Sequence, residues 1–418
     1  MRNGTRRLVR ALMSASVLSL VATAGWSQSL TWLGTLPGGD ITYAHAVTDG
    51  AVVVGWAYNA SRQWRAFRWT ASEGMQNLGT LGGNESWAWG VSANGAVVVG
   101  VAANAAGQTR AFRWQNGVMQ DLGTLGGSSS DALGVSADGT VVVGGAVNAA
   151  GQRRAFRWTA SGGMQNLGTL GGAQSWASDV SANDAVVVGV ATNAAGQRRA
   201  FRWENGVMQD LGTLGGNRSE AFGVSADGAV VVGVAYNTAG QGRAFRWENG
   251  VMQDLGTLPG GNQSHALGVS ADGAVVVGFA EKVAGQQYRA FRWENGVMQD
   301  LGTLGGGFSR AWGVSADGAV VVGWAGNAAA QSRAFRWTAS GGMEDLNTTY
   351  ASLLTNGSTL IIAYAISPDG RYIVGYGYNA DTELYEAFLL DTIPEPASLI
   401  ALGAGLAGLV GLRRRKQA

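Results

Sequence analysis

Between about residue 30 and residue 390 one pattern of apolar and polar positions returns many times. The tripeptide Gly-Thr-Leu marks its period. It starts at Gly34, Gly79, Gly123, Gly168, Gly212, Gly256 and Gly302, and a worn copy stands at Asn347-Thr348-Thr349. Successive markers lie 44 to 46 residues apart. Units with a TASGG-type turn (159–163) are one residue longer than units with a Glu-Asn-Gly turn (204–206), and the longest unit carries Pro259. Each unit holds four short strand-like runs, a to d, for example 221–225, 229–236, 243–247 and 251–255. Run b is a Val-Val-Val stretch, apolar on both faces. Run c alternates, with Arg243, Phe245 and Trp247 on one face and Ala244 and Arg246 on the other. Asp227-Gly228 separates a from b and Asn249-Gly250 separates c from d; such pairs supply the positive φ of tight hairpin turns.

Four antiparallel strands every 40 to 50 residues predict a β-propeller blade, whose two faces are both covered by neighbours. A parallel β-solenoid is the alternative, but its coils are usually shorter and lack Asn-Gly hairpins. An orphan d-like run (30–36) precedes the first a run. After the last unit only a, b and c remain, at 363–367, 372–378 and 386–390. The two remainders add up to one blade. The chain is therefore expected to form an all-β, closed, eight-bladed propeller over residues 30–391, with its N-terminal strand completing the last blade and removing open edges. The eighth unit reads SPDGRYIVGYG from Ser367 to Gly377, similar to the motif of WD40-like repeats.

The chain of 418 residues has 67 glycines and 5 prolines, and 46% of it is hydrophobic, so the glycines read as turn punctuation and not as disorder. Net charge is +1 and arginine is spread evenly, which argues against a nucleic-acid partner. There is no cysteine, which removes disulfides, thiolate nucleophiles and zinc-thiolate sites. With only His45 and His265, a histidine-based metal cluster or catalytic triad is hard to build; neither a cofactor nor a metal is expected.

Both ends resemble addresses. Arg2, Arg6, Arg7 and Arg10, an apolar run (12–21) and Ala22-Thr23-Ala24 have the order of a secretory signal peptide over residues 1–24, a substrate for signal peptidase. Residues 393–418 hold an apolar run (397–412) of sixteen residues, about 24 Å as a helix and slightly short of a full span. The basic residues 413–416 would hold its end in the cytoplasm, so a transmembrane helix is expected there before processing. Pro394-Glu395-Pro396, the apolar helix, then Arg413, Arg414 and Arg415 resemble the PEP-CTERM sorting signal of Gram-negative bacteria. That resemblance implies an exosortase-type sorting enzyme as partner, removal of the tail, and release to the cell surface or extracellular matrix. Such tails also go by the name of an ice-binding-protein C-terminal domain, which gives no reason to infer ice binding.

The c runs resemble the HAF family of extracellular repeats, with arginine in place of the family's histidine. Arg65-Ala66-Phe67 with Trp69, through to Arg333-Ala334-Phe335 with Trp337, carry the likeness, together with the L-G-T-L-G-G and G-V-S-A-D-G elements. It spans about residues 32–390. The family has no assigned reaction, so it implies location and architecture more than activity.

Several constant positions have structural explanations. The arginine pairs (Arg65/Arg68, Arg110/Arg113, Arg154/Arg157, Arg199/Arg202, Arg243/Arg246, Arg289/Arg292, Arg333/Arg336) are expected to pair with strand-d carboxylates such as Asp121, Asp210, Asp254 and Asp300; a ring that attracts acidic polysaccharide is the alternative. The stripes Trp114, Trp158, Trp203, Trp247 and Met119, Met164, Met208, Met252 read as packing between blades, with sugar stacking as the other reading. Asp138, Asp227, Asp272, Asp317 and Asp369 share a place with Asn94 and Asn183, which suits a turn and not a set of acids.

Two positions refuse to repeat. Before the constant alanine of run a stand Tyr43, Trp87, Asp131, Trp176, Glu220, His265, Arg310 and Ile362. After the valine run stand Trp56, Val101, Gly145, Val190, Val234, Phe279, Trp324 and Tyr376. Either these are loosely packed places that drifted, or Tyr43, Trp87, Asp131, Trp176, Glu220, His265 and Arg310 form a rim that binds a glycan or peptide. The expectation is an exported, non-enzymatic binding or scaffold module of the cell surface or matrix, associated with extracellular polysaccharide. A propeller-type glycan hydrolase or lyase using Asp131 and Glu220, and a purely structural surface protein, are the alternatives.

Overall fold

Hairpin chemistry builds each repeat. In the fifth unit Asp227 Oδ1 accepts hydrogen bonds from the Ser225 hydroxyl (2.6 Å) and the Ala229 N–H (2.9 Å), while Gly228 takes φ +78°. Asn249 and Gly250 both have positive φ, as the c–d turn requires. Between b and c, Asn237 Oδ1 accepts from the N–H groups of Ala239 and Gln241. The aspartates of the a–b turns therefore serve the turn, and Asn94 and Asn183 make the same bonds in their units.

The computed structural model describes residues 28–283, 287–354 and 357–392. The expected signal segment (1–24), the transmembrane helix (397–412) and the basic tail lie outside the described residues. Residues Leu30–Leu390 form one compact unit. Eight four-stranded sheets are present, each in the order a-b-c-d. Blade 1 is Thr42–Val47, Val53–Tyr58, Trp64–Thr70 and Gly74–Asn77; blade 5 is Gly215–Val224, Val231–Asn237, Gly242–Glu248 and Val251–Asp254. Blade 8 is Thr359–Ile366, Tyr372–Asn379 and Leu384–Asp391, with Ser29–Trp32 added as its d strand. Consecutive a strands touch all the way round, including those of blades 8 and 1, so the ring is closed and a is the inner strand.

Several strand limits differ from the sequence reading; the a strand of blade 8, for one, starts at Thr359 and not at 363. The a strand of blade 5 starts at Gly215, six residues before the expected 221, because Gly215 pairs with Asn237 and the strand runs on through a register shift. Glycine and polar residues there disguise strand as turn. The orphan strand is shorter than 30–36, ending at Trp32. The worn marker also has a structural role: Leu346–Thr349 is a single helical turn capped by Asp345, and Asn347 both accepts from the Leu360 N–H and donates to its carbonyl.

Blades bury one another. Val186, Val188, Ala200 and Leu211 of blade 4 pack against Ala221, Val231, Ala235, Phe245 and Trp247 of blade 5, which is why run b is apolar on both faces. Fully burying each valine, leucine or phenylalanine among them is worth about 1.5–3 kcal/mol. The tryptophan stripe is core: Trp158, Trp203 and Trp247 are buried, Trp114 less so. The constant arginines act between blades. Arg199 and Arg110 approach Asp210 (3.6 Å) and Asp121 (3.7 Å) on strand d as expected, but Asp300 takes Lys282 (2.9 Å) instead of an arginine. More of their bonds go to backbone carbonyls of the next blade, as from Arg199 to Asn217 (2.6 Å) and from Arg202 to Gly228 (3.1 Å).

A buried hydroxyl stitches neighbouring blades. Ser219 accepts from the Ala200 N–H of blade 4 and donates to the Gly212 carbonyl; Ser86, Ser130, Ser175, Ser264 and Ser309 do the same in their blades. At the ring closure Thr42 takes the role, accepting from the Ala387 N–H (2.7 Å) and donating to the Gly34 carbonyl (2.9 Å). Replacing the fully buried Thr42 by valine leaves both backbone groups unpaired. The expected loss is about 1–3 kcal/mol, read as a lower denaturant midpoint. Thr42→Ser, which installs the hydroxyl the other blades use, is expected to keep the parent midpoint.

Candidate functional site

The two positions that fail to repeat are cross-strand partners. Tyr43 pairs with Trp56, Trp87 with Val101, Asp131 with Gly145, Trp176 with Val190, Glu220 with Val234, His265 with Phe279, Arg310 with Trp324 and Ile362 with Tyr376. Partners point to the same sheet face, so every blade presents its variable pair at the same level. A constant glycine permits the pairing: a Cβ on Gly233 would lie 2.0 Å from the Glu220 carbonyl oxygen.

A third variable position was missed by the sequence reading. In each blade the a strand carries a β-bulge just after the constant alanine, whose extra residue is His45, Trp89, Leu133, Ser178, Phe222, Leu267, Trp312 or Tyr364. A bulge re-aims a side chain. Strand alternation already puts this residue, two places after the first variable one, on the variable face; the bulge shifts the phase of the residues that follow it. The signal in the sequence was the failure of this position to repeat on the far side of that alanine. The residue just before the constant Arg-Ala-Phe also varies (Trp64, Thr109, Arg153, Arg198) and lies on the same surface.

The rim divides into two sectors. In blades 8, 1 and 2 it is aromatic. Ring centroids lie 4.8 Å apart for Tyr43 and Tyr376, 6.0 Å for Tyr43 and Trp64, 4.8 Å for Trp56 and Trp89, and 5.0 Å for His45 and Trp89. His45 also lies 6.4 Å from Tyr364, so bulge residues of three successive blades follow one another round the inner wall. Burial pushes the Tyr364 phenol up to about 12 and raises Tyr43 and Tyr376, while it lowers His45 against the pull of its bond to the Trp89 carbonyl.

From blade 3 to blade 7 the rim mixes charged residues with Trp176, Phe279, Trp312 and Trp324, and its charges are engaged. Arg153 reaches Asp131 across Gly145, where a side chain would collide with the guanidinium. Burial still raises Asp131, outweighing Arg153. Arg198 lies over Trp176 (4.8 Å) and contacts Glu220 (2.9 Å), which also binds Arg218 (2.6 Å). Arg310 lies over Phe279 (4.6 Å), on which His265 stacks (4.8 Å). Burial lowers His265, and Arg310 lowers it further. Asp131 and Glu220 are not brought together: they stand on blades 3 and 5, each tied to its own arginines. Among the described residues no three His, Asp or Glu side chains gather as a metal set.

The opposite part of the channel is different. Val47, Val91, Val135, Val180, Val224, Val269, Val314 and Ile366 ring a cavity of about 410 Å³ with alanines beneath them. Asp179 interrupts the repeat just above, where other units have Gly90, Gly134, Gly223, Gly268 and Gly313. Its carboxylate accepts from the N–H groups of Val180 (2.8 Å) and Val224 of the next blade (3.2 Å).

Comparison with known proteins adds an address and a fold. Residues 392–416 match the PEP-CTERM protein-sorting motif, the mark of an exported protein and of the kind recognised by exosortase-type sorting enzymes. Among curated proteins nothing matches the chain. Among solved structures, dipeptidyl peptidase 4 of Porphyromonas gingivalis is similar over 88% of this chain and 61% of its own, at 12% identity and a TM-score of 0.51. A prolyl endopeptidase is similar over 77% and 50%, at 11% identity and a TM-score of 0.53. TolB of Acinetobacter baumannii is similar over 79% and 76%, at 12% identity and a TM-score of 0.38. The chain thus spans 61% and 50% of the lengths of the two peptidases, and at these identities the likeness is one of fold. Among the described residues no helix is long and apolar enough to cross a membrane.

Asp179 yields a test of stability against pH. Burial raises it from 3.8 to about 6, against the lowering effect of its two backbone bonds. Between those values the folded protein holds a proton that the unfolded chain has lost. Its contribution is full below the unfolded value and is lost as pH rises towards and through the folded one. Asp179→Gly restores the repeat and removes this term. Relative to the variant, the parent is expected to lose up to about 3 kcal/mol between pH 4 and pH 7. Denaturant midpoints of both proteins across that range check it.

Proposed function

We propose that this chain is an exported, non-enzymatic propeller that serves as a binding or scaffold component of the cell surface or extracellular matrix, with polysaccharide as its partner. The observation that carries the reading is the segregation of variation. Around an inner wall of nearly copied residues, the positions that differ from blade to blade share one sheet face at one level of the ring. Repeats that resemble the HAF family of extracellular proteins, and the sorting motif at residues 392–416, agree with a place outside the cell. A hydrolase built on Asp131 and Glu220 has little support, since blade 4 separates them.

The protein recovered from culture medium is expected to bind at least one polysaccharide of the producing organism's matrix. A rim variant with Tyr43→Ala and Glu220→Ala is expected to bind less while keeping the parent's free energy of unfolding to within about 1 kcal/mol. Full retention by that variant, or no binding of any matrix polymer by the parent, would count against the reading. Removal of the tail by the sorting enzyme makes a separate expectation. Mass spectrometry of the secreted protein should give an N-terminus after residue 24 and a C-terminus before Arg413; an intact tail in the medium would refute processing.

A further inference from the structure

We propose that the ligand-contacting part of the rim is the aromatic arc across the ring closure, and that it takes a neutral glycan. The proposal rests on the polysaccharide reading above and narrows it to one sector and one ligand class.

Four observations point this way. First, Tyr43, Trp56, Trp64, Trp89, Tyr364 and Tyr376 are all half-buried, whereas the aromatic residues of the blade cores, such as Phe67 and Trp69, are buried. The arc is therefore not needed to fill the core. Second, its rings form one connected series over three blades. It is assembled only where the last blade meets the first, so no single repeat unit encodes it.

Third, the arc is made of tyrosine and tryptophan, with His45 in its wall. Every ring has an apolar face and an N–H or O–H handle. Several equivalent places elsewhere hold Val190, Leu133 or Leu267, without a handle, while Trp176, Trp312 and Trp324 have one but stand outside the connected series of rings. An apolar protein surface would be met as well by phenylalanine or leucine. A sugar ring presents C–H faces for stacking and hydroxyls for bonding, and both features of these side chains match it.

Fourth, charge favours a neutral partner. Apart from His45, whose protonation burial disfavours, the arc holds no cationic or carboxylate side chain. Arg62 pairs with Asp40, and Arg65 donates to the Asn84 carbonyl and Gln63. Burial keeps the phenols of Tyr43, Tyr364 and Tyr376 un-ionised. In the other sector Asp131 holds Arg153, and Glu220 holds both Arg198 and Arg218. An acidic polymer would have to displace those carboxylates to reach these three guanidinium groups; Arg310 lies over an aromatic face instead.

The test is affinity electrophoresis of the protein recovered from culture medium. It runs in gels containing a neutral β-glucan, a neutral mannan or the acidic polymer alginate, at low and at high salt. Retardation is expected in a neutral gel, and it should be insensitive to salt. Trp64→Ala and Tyr376→Ala should each weaken it about tenfold. Arg198→Gln, in the charged sector, should leave it unchanged. A denaturant midpoint measured for each variant separates loss of binding from loss of fold. Retardation by alginate alone, abolished by salt and by Arg198→Gln, would overturn the proposal while leaving polysaccharide binding intact. Neutral binding that survives both arc substitutions would overturn the placement. Retardation by no polysaccharide of any kind would sink the broader reading as well.

Discussion

A sheet that is apolar on both faces cannot end. Each blade here has valine, alanine and phenylalanine on one side and valine, alanine and leucine on the other. Water-exposed, either face would be a large sticky surface. A row of such sheets leaves one face bare at each end, however long it grows, and only a ring leaves none. Closure is therefore the condition under which the repeat is soluble. The Thr42 hydroxyl, the Asp369 N–H on Asp49 and the strand Ser29–Trp32 are the devices that meet it.

That condition also explains what could be read from the chain. The glycine-punctuated hairpins are local chemistry, and they declared four strands per unit. The orphan d run before the first unit and the missing d after the last declared the closure. The start of strand a was hidden, because Gly215-Gly216-Asn217 reads as loop when its partner Asn237 is not in view. The partners of the arginines were hidden too. Arg202 meets a carbonyl 26 residues away in the next blade, and no periodicity can announce a bond to backbone.

The rim was half legible. Two variable positions stood out against copied surroundings, but their direct pairing, as of Tyr43 with Trp56, follows from strand register. The bulge residues, His45 and Trp89 among them, stand two places after Tyr43 and Trp87 and so share the face of the pair. Compensation was invisible. Gly145 is merely small in sequence, yet in space it is the opening through which Arg153 reaches Asp131. An inner wall that must repeat and a rim that need not therefore share the same strands.

The sorting motif begins at residue 392, directly after the strand Leu384–Asp391. In seven blades the chain leaves by strand d, which has a bare outer edge. In blade 8 it leaves by strand c, which lies between Tyr372–Asn379 and Ser29–Trp32. Tension applied at the tail therefore enters the ring through a strand held along both flanks, and must shear two ladders at once. An outermost strand would peel away one bond at a time. The borrowed N-terminal segment thus covers the strand at which any mechanical load from the sorting tail arrives.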